Sequence, residues 1–163
     1  MAVQFQDFSY KVKAKLTEAS INALNEAGFE VAAHANRHVK LDGEAGQALR
    51  GSYRHVVDEG AGEVQIGTDR EEGYWEEFGT GSYAVHGDGR KGWWVWAPGW
   101  EPSTRPQYTE EQAKMIAANL QRVGVDAHAS NGRPPAFTLE NAFNQTKSAV
   151  IAEFERLVRE GLA

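Results

Sequence analysis

Several groups of residues in this 163-residue chain have types and spacings that could do chemistry. Glu30, His34 and His38 recur at four-residue intervals. On a helix, that spacing places two imidazoles and a carboxylate on one side of a metal ion. The helical zinc-protease pattern needs a glutamate directly after the first histidine, and Ala35 stands there. A solvated polar helix face explains the same spacing more simply. Gly87-Asp88-Gly89-Arg90-Lys91-Gly92 matches GxGxxG letter for letter. In dinucleotide folds that motif follows a strand and opens a helix whose N-terminus holds the pyrophosphate. Here it precedes Trp93-Trp94-Val95-Trp96, a strand-like run, so a flexible hairpin-like loop is the expectation.

Glu71, Glu72, Glu76 and Glu77 could supply paired carboxylates for acid–base work. They read more simply as solvated helix charges, or as acidic contacts to a partner's basic residues. Ser52 has His55 near it in sequence, but nothing marks it as an activated nucleophile. The expectation is therefore a non-enzyme with no catalytic residue, no cofactor and no metal ligand. A small metal-dependent hydrolase using Glu30, His34 and His38 is the remote alternative.

The totals narrow the class. A hydrophobic content of 41% and a charged content of 25% are those of an ordinary soluble globular chain. No apolar run approaches the roughly 20 residues that span a bilayer, and the N-terminus shows no signal-peptide core. The absence of cysteine removes disulfides and thiolate chemistry together. A net charge of −6 opposes tight nucleic-acid binding, which draws most of its affinity from Lys and Arg on phosphates.

The elements that would position these residues follow from periodicity. Residues 1–10 read as an extended arm with Val3, Phe5 and Phe8 as apolar contacts. Residues 12–39 read as a helix with a stripe of Leu16, Ser20, Ala23, Leu24, Ala27, Val31 and Ala35. Gly28 marks a kink or a close approach within it. A break at residues 41–46 precedes two strands, 53–58 and 63–68, joined around Gly60-Ala61-Gly62. Asp69 is placed to cap a short helix that aligns Tyr74, Trp75 and Phe78, and Gly79 ends it. After a Pro- and Gly-rich loop at 98–108, Thr109 and Gln112 form a capping box for a helix over 109–124. A second loop at 126–135 leads to a final helix capped by Thr138, with Leu139, Ala142, Phe143, Val150, Phe154, Leu157 and Val158 near one face.

The expected architecture is one α+β domain over residues 1–163. A small, largely antiparallel sheet is packed by the long N-terminal helix and the C-terminal helix, with an inserted helix near 109–124. Residues 97–133 form an insertion. The strand at 93–96 is apolar on both faces, since Trp94 and Trp96 share one and Trp93 and Val95 the other. The expectation is a mixture of core packing and intersubunit contact. A binding module holding a peptide or sugar on its tryptophan surface is a further alternative.

Ordered strings along the chain carry a resemblance. Ala48-Leu49-Arg50-Gly51-Ser52 resembles the Leu-(Arg/Lys)-x-Ser element of a phage tail-component family. Val64-Gln65-Ile66-Gly67-Thr68 follows, and then Tyr74-Trp75-Glu76-Glu77-Phe78-Gly79-Thr80-Gly81, similar to its hallmark string ending in Glu-(Phe/Tyr)-Gly-Thr. Arg133-Pro134-Pro135-Ala136-Phe137, with Leu139 and Ala142, resembles its opening of a C-terminal helix. The chain departs from the pattern at Gln47 and Ala48, where a Thr-Gly pair is typical, and at Ala136, where a second proline is common.

The family is that of neck and tail-completion proteins of long-tailed bacteriophages. The resemblance implies a structural virion protein of the tail-terminator type, made in the host bacterial cytoplasm. It implies a homo-oligomeric ring, a hexamer, joining the tail tube protein to the head–tail connector or stopper. Genomic DNA would pass through the channel without specific binding, and no membrane is involved. A head-side connector or another minor tail position is the alternative within this reading. The expected interface residues are Tyr74, Glu77, Thr80, Trp93, Trp94 and Trp96.

Overall fold

A computed structural model describes residues 9–100 and 107–162. Within them the chain is an α+β fold of five α-helices and two antiparallel two-stranded sheets, as the periodicity predicts in class. The expected single small sheet is found as two separate pairs. The chain divides into two compact units, Met1–Gly73 with Phe137–Ala163, and Tyr74–Ala136. No helix among the described residues is long and apolar enough to cross a membrane. The expected arm lies outside the described residues except for Ser9 and Tyr10, which already belong to the first helix.

The first unit is built on α1, Ser9–Arg37, packed along α5, Thr138–Leu162. Ala19, Ala23, Val31, Ala32 and Ala35 are buried on α1, and Ala142 on α5. Small side chains at these positions let two backbones approach closely. Gly161 shows how closely: a Cβ there would sit 2.4 Å from the Cβ of Ala19. Of the expected stripe, Ala23, Val31 and Ala35 are buried, whereas Leu16 is 41% exposed. The reason is length. With Gly161 already level with Ala19, α5 ends before it can cover the first turns of α1.

Gly28 marks close approach, in a helix that runs unbroken through it. A Cβ there would come within 2.6 Å of the His55 ring and 2.7 Å of Val64. That space is taken by β1, Arg54–Asp58, and β2, Glu63–Gly67, paired with Val57 opposite Val64 and His55 opposite Ile66. These four are half-buried, while Arg54, Val56 and Asp58 alternate outward. At the turn, Asp58 Oδ1 accepts the Gly60 and Ala61 amides, each at 2.9 Å.

The break expected at 41–46 instead contains the start of α2, Gly43–Leu49. A turn of helix is tolerated because Gly46 has no side chain: its Cβ would lie 1.8 Å from the Leu41 carbonyl oxygen. Leu49 is then fully buried with Val31, Ala35, Val39, Tyr53 and Ala142. Asn36 ties this end of α1 to the segment after α2. Its Oδ1 accepts from the Gly51 and Tyr53 amides at 2.8 and 3.0 Å, and its Nδ2 donates to the Tyr53 carbonyl at 2.9 Å.

On α5, Thr138 is the first helical residue rather than the cap, and Phe137 before it has φ +50°. Phe143, expected on the buried stripe, is half exposed beside fully buried Ala142, because adjacent helical residues diverge by about 100°.

The second unit contains β3, Trp94–Trp96, paired with β4, His128–Ser130, and covered by α4, Glu110–Arg122. The capping box forms as the sequence predicts: Gln112 N donates to Thr109 Oγ1, and Thr109 N to Gln112 Oε1. Val95, Ala97, Ala113, Ala117 and Ala127 make its core, with Trp93, Ile116 and Leu120 packed against them. The chain passes between the units within α3, Glu71–Phe78, whose first residue follows Arg70; Asp69 sits one place too early to cap it. The Asp69 carboxylate accepts instead from the Arg54 guanidinium at 3.1 Å.

Candidate functional site

The residues of most interest in the second unit lie where two distant strings interlock. Gly79, at φ +73°, ends α3 and turns the chain, and Thr80 N donates to the Arg133 carbonyl at 2.9 Å. Arg133 N returns a bond to Thr80 Oγ1 at 3.0 Å, and Ser82 N donates to the Asn131 carbonyl at 2.8 Å. Farther along, Ala136 N donates to the Glu76 carbonyl at 2.8 Å. Residues 76–82 and 131–136 therefore form a backbone clasp.

The clasp leaves no room for side chains at its crossing. A Cβ on Gly81, at φ +60°, would lie 2.3 Å from the Asn131 carbonyl oxygen and 2.7 Å from the Trp94 ring. One on Gly132 would lie 2.1 Å from the Thr80 carbonyl oxygen. Glycine is required here by proximity as well as by backbone conformation.

Glu76, read from sequence as a solvated charge or partner contact, is 1% exposed. Its Oε2 lies 3.6 Å from Arg133 Nη2, so a buried carboxylate faces the guanidinium across the clasp. Nothing in the helical spacing separates Glu76 from Glu77; only the fold of 131–136 over α3 does. Replacing Glu76 with Ala removes a buried partner of a charge. Such losses reach about 3–5 kcal/mol, and about 2 kcal/mol is expected because Arg133 is one-third exposed and rehydrates. Glu77→Ala, at a half-exposed position, should change stability by less than about 0.5 kcal/mol. Urea unfolding of both variants checks this; equal effects would remove the special role of Glu76.

Beside the clasp runs a groove of about 390 Å³ lined by Tyr74, Trp75, Thr80, Asp88, Arg90 and Trp94 among others. Tyr74 stacks obliquely on Phe78 at 5.0 Å, and Phe78 on His86 at 4.7 Å. The Tyr74 hydroxyl donates to Asp88 Oδ2 at 3.1 Å. Loss of hydration, then this bond and the Asp88 charge, push the phenol above its ordinary range. The Arg90 guanidinium lies 5.1 Å from the centre of the Trp94 ring.

Alternation along β3 holds as predicted. Trp93 and Val95 turn into the core, while Trp94 and Trp96 face the other way, Trp96 44% exposed and 4.8 Å from His128. Of the six expected interface residues, the structure brings Tyr74, Thr80 and Trp94 to one groove. Glu77 and Trp96 do not line it, and Trp93 packs in the core with Lys114 Nζ 5.5 Å over its ring.

The GxGxxG string opens no helix: Gly87 and Gly92 take positive φ in turns, and the Gly89 Cβ position lies 2.1 Å from the Gly81 carbonyl oxygen. Ser52 Oγ bonds the Leu49 carbonyl at 2.8 Å and Thr68 Oγ1 at 2.7 Å. His34 and His38 stack face to face at 4.0 Å, and Glu30 lies 3.7 Å from Arg37. Among the described residues no group of three His, Asp or Glu side chains converges on a metal position.

The histidine stack has a consequence for stability. Burial, then the charges of His38 and Arg37, lower the His34 pKa below 6.5, against a smaller opposing pull from Glu30. The unfolded chain then binds more protons than the folded one below about pH 6.5. Stability should be complete above that pH and fall as pH drops through the folded pKa. His34→Asn should flatten the dependence in melting curves between about pH 7.5 and 5; an unchanged slope would show that other groups cause it.

Comparison with protein-family models, with curated protein sequences and with solved structures finds no match to the chain.

Proposed function

We propose that this chain is a structural protein of the phage neck, of the tail-completion or tail-terminator type, joining the tail tube to the head connector as a ring. One observation carries the reading. The strings 74–81 and 133–136, which bear the family resemblance at opposite ends of the second unit, interlock through Thr80, Arg133, Glu76 and Ala136. Residue types that look dispersed in sequence thus serve one construction, as expected if the resemblance reflects shared architecture.

Two further features support it. Tyr74, Trp75, Tyr83, Trp96 and Trp100 are each exposed on the second unit, and aromatic residues of this kind are enriched in interface cores. The net charge of −6 suits the wall of a channel through which DNA slides without adhering.

The test is electron microscopy of particles made when this gene alone is silenced in its phage. Filled heads accumulating apart from tails are expected. Overlong tails would assign the terminator position and normal tails a joining part on the head side. Intact, infectious virions would overturn the proposal.

A further inference from the structure

Among the described residues nothing covers residues 13–18 of α1. Residues 13–18 are helical and every one of them is exposed, Leu16 included. α5 ends level with Ala19, so this overhang projects beyond the helix pair. A short helical extension without a packed face is marginal in water. Around the helix Lys13 and Lys15 fall on either side of Leu16, while Glu18 falls on the opposite face.

Between α1 and α5 of the same unit lies a groove of about 390 Å³. Ala23, Ala27 and Ala149 line it with Val150 and Phe154, leaving space for a large apolar side chain. Every charged residue lining it is a glutamate: Glu26, Glu30 and Glu153. Phe29 stands at its edge, 61% exposed. Glu30 and Glu153 have intrachain partners in Arg37 and Arg156, and carboxylate oxygens accept more than one donor.

We infer that the overhang of α1, with Lys13 and Lys15 to either side of Leu16 around the helix, docks into the glutamate-lined α1/α5 groove of a second copy of this chain. The chain's own overhang cannot reach its own groove. Leu16 and Ala27 belong to one unbroken helix, about 16 Å apart along its axis. The two patches differ, so the contact is head-to-tail, and repetition closes a ring or extends a filament. It deepens the ring reading by naming which surfaces meet.

The test is light scattering of the purified full chain at about 50 mM and about 500 mM salt. Association at low salt that weakens at high salt is expected. Lys13→Glu with Lys15→Glu, and separately Glu26→Lys with Glu153→Lys, should each weaken it about tenfold or more. Mixing the two variants should restore a 1:1 pair, because one reversed overhang then meets one reversed groove. Reversing Glu44 and Glu59, exposed elsewhere in the same unit, should leave association unchanged. Circular dichroism of each variant confirms that the helices persist. A monomeric wild-type chain at low salt, undiminished association in the reversed variants, no restoration on mixing, or an equal loss from the Glu44/Glu59 control would each overturn the contact. Particle morphology in the silenced phage is a separate readout, so solution association without a neck phenotype would sink the neck reading alone.

Discussion

Gly81→Ala should lower the stability of the second unit by about 3 kcal/mol. Two costs add. Alanine at φ +60° is strained by roughly 1 kcal/mol relative to glycine. The added methyl would also meet the Asn131 carbonyl oxygen at 2.3 Å and the Gly132 Cα at 2.7 Å. Both are backbone atoms of the clasp, which must separate to admit it, an overpacking cost of about 1–3 kcal/mol. The readout is direct, because Trp75, Trp93, Trp94, Trp96 and Trp100 all belong to the second unit and the first has no tryptophan. Tryptophan emission during urea unfolding should show an earlier midpoint. Gly87→Ala is the control: φ is +70° there too, yet nothing lies within 4 Å of the added atom. If both substitutions cost the same, the clasp is looser than its distances indicate.

The second large effect belongs to Asn36→Ala, expected to cost about 2–3 kcal/mol. One side chain satisfies the Gly51 and Tyr53 amides and the Tyr53 carbonyl at once. Alanine leaves all three without it, and Tyr53 is buried, so water replaces the lost bonds only in part. Asn36→Asp keeps both acceptor bonds but sets a second carboxylate oxygen against the Tyr53 carbonyl, so it too should be less stable than the wild type. Thermal unfolding followed by far-UV circular dichroism separates the three. A loss under about 0.5 kcal/mol for alanine would mean the segment is held by packing alone.

Asn36 also shows how sequence and fold divide the information. The segment it holds, residues 51–53, overlaps the Ala48–Ser52 string that suggested a family, but Asn36 itself carried no motif. A hydrogen-bonding side chain on a helix is indistinguishable in sequence from a solvated one until the partner backbone is placed. Glu76 and Glu77 make the same point one residue apart, since only the fold of 131–136 decides which is buried. Three close-approach glycines of the first unit differ in legibility. Gly28 stood out because it interrupts a helical stripe, whereas Gly46 lay in what read as a loop and Gly161 at a helix end.

By itself the sequence determined what depends on neighbours within a turn or two. The long N- and C-terminal helices, the Thr109–Gln112 capping box, the Asp58–Gly62 hairpin turn and the alternation of the tryptophan strand follow from local periodicity and local hydrogen bonds. Tertiary structure decided what depends on contacts across the chain. It split the strands into two pairs, joined Thr80 to Arg133 across 53 residues, buried Glu76 and turned Trp93 inward. It also left Leu16 uncovered, because α5 stops level with Ala19. The physical reason is range: propensity and periodicity act over a few residues, whereas burial depends on which distant segment occupies the adjoining volume.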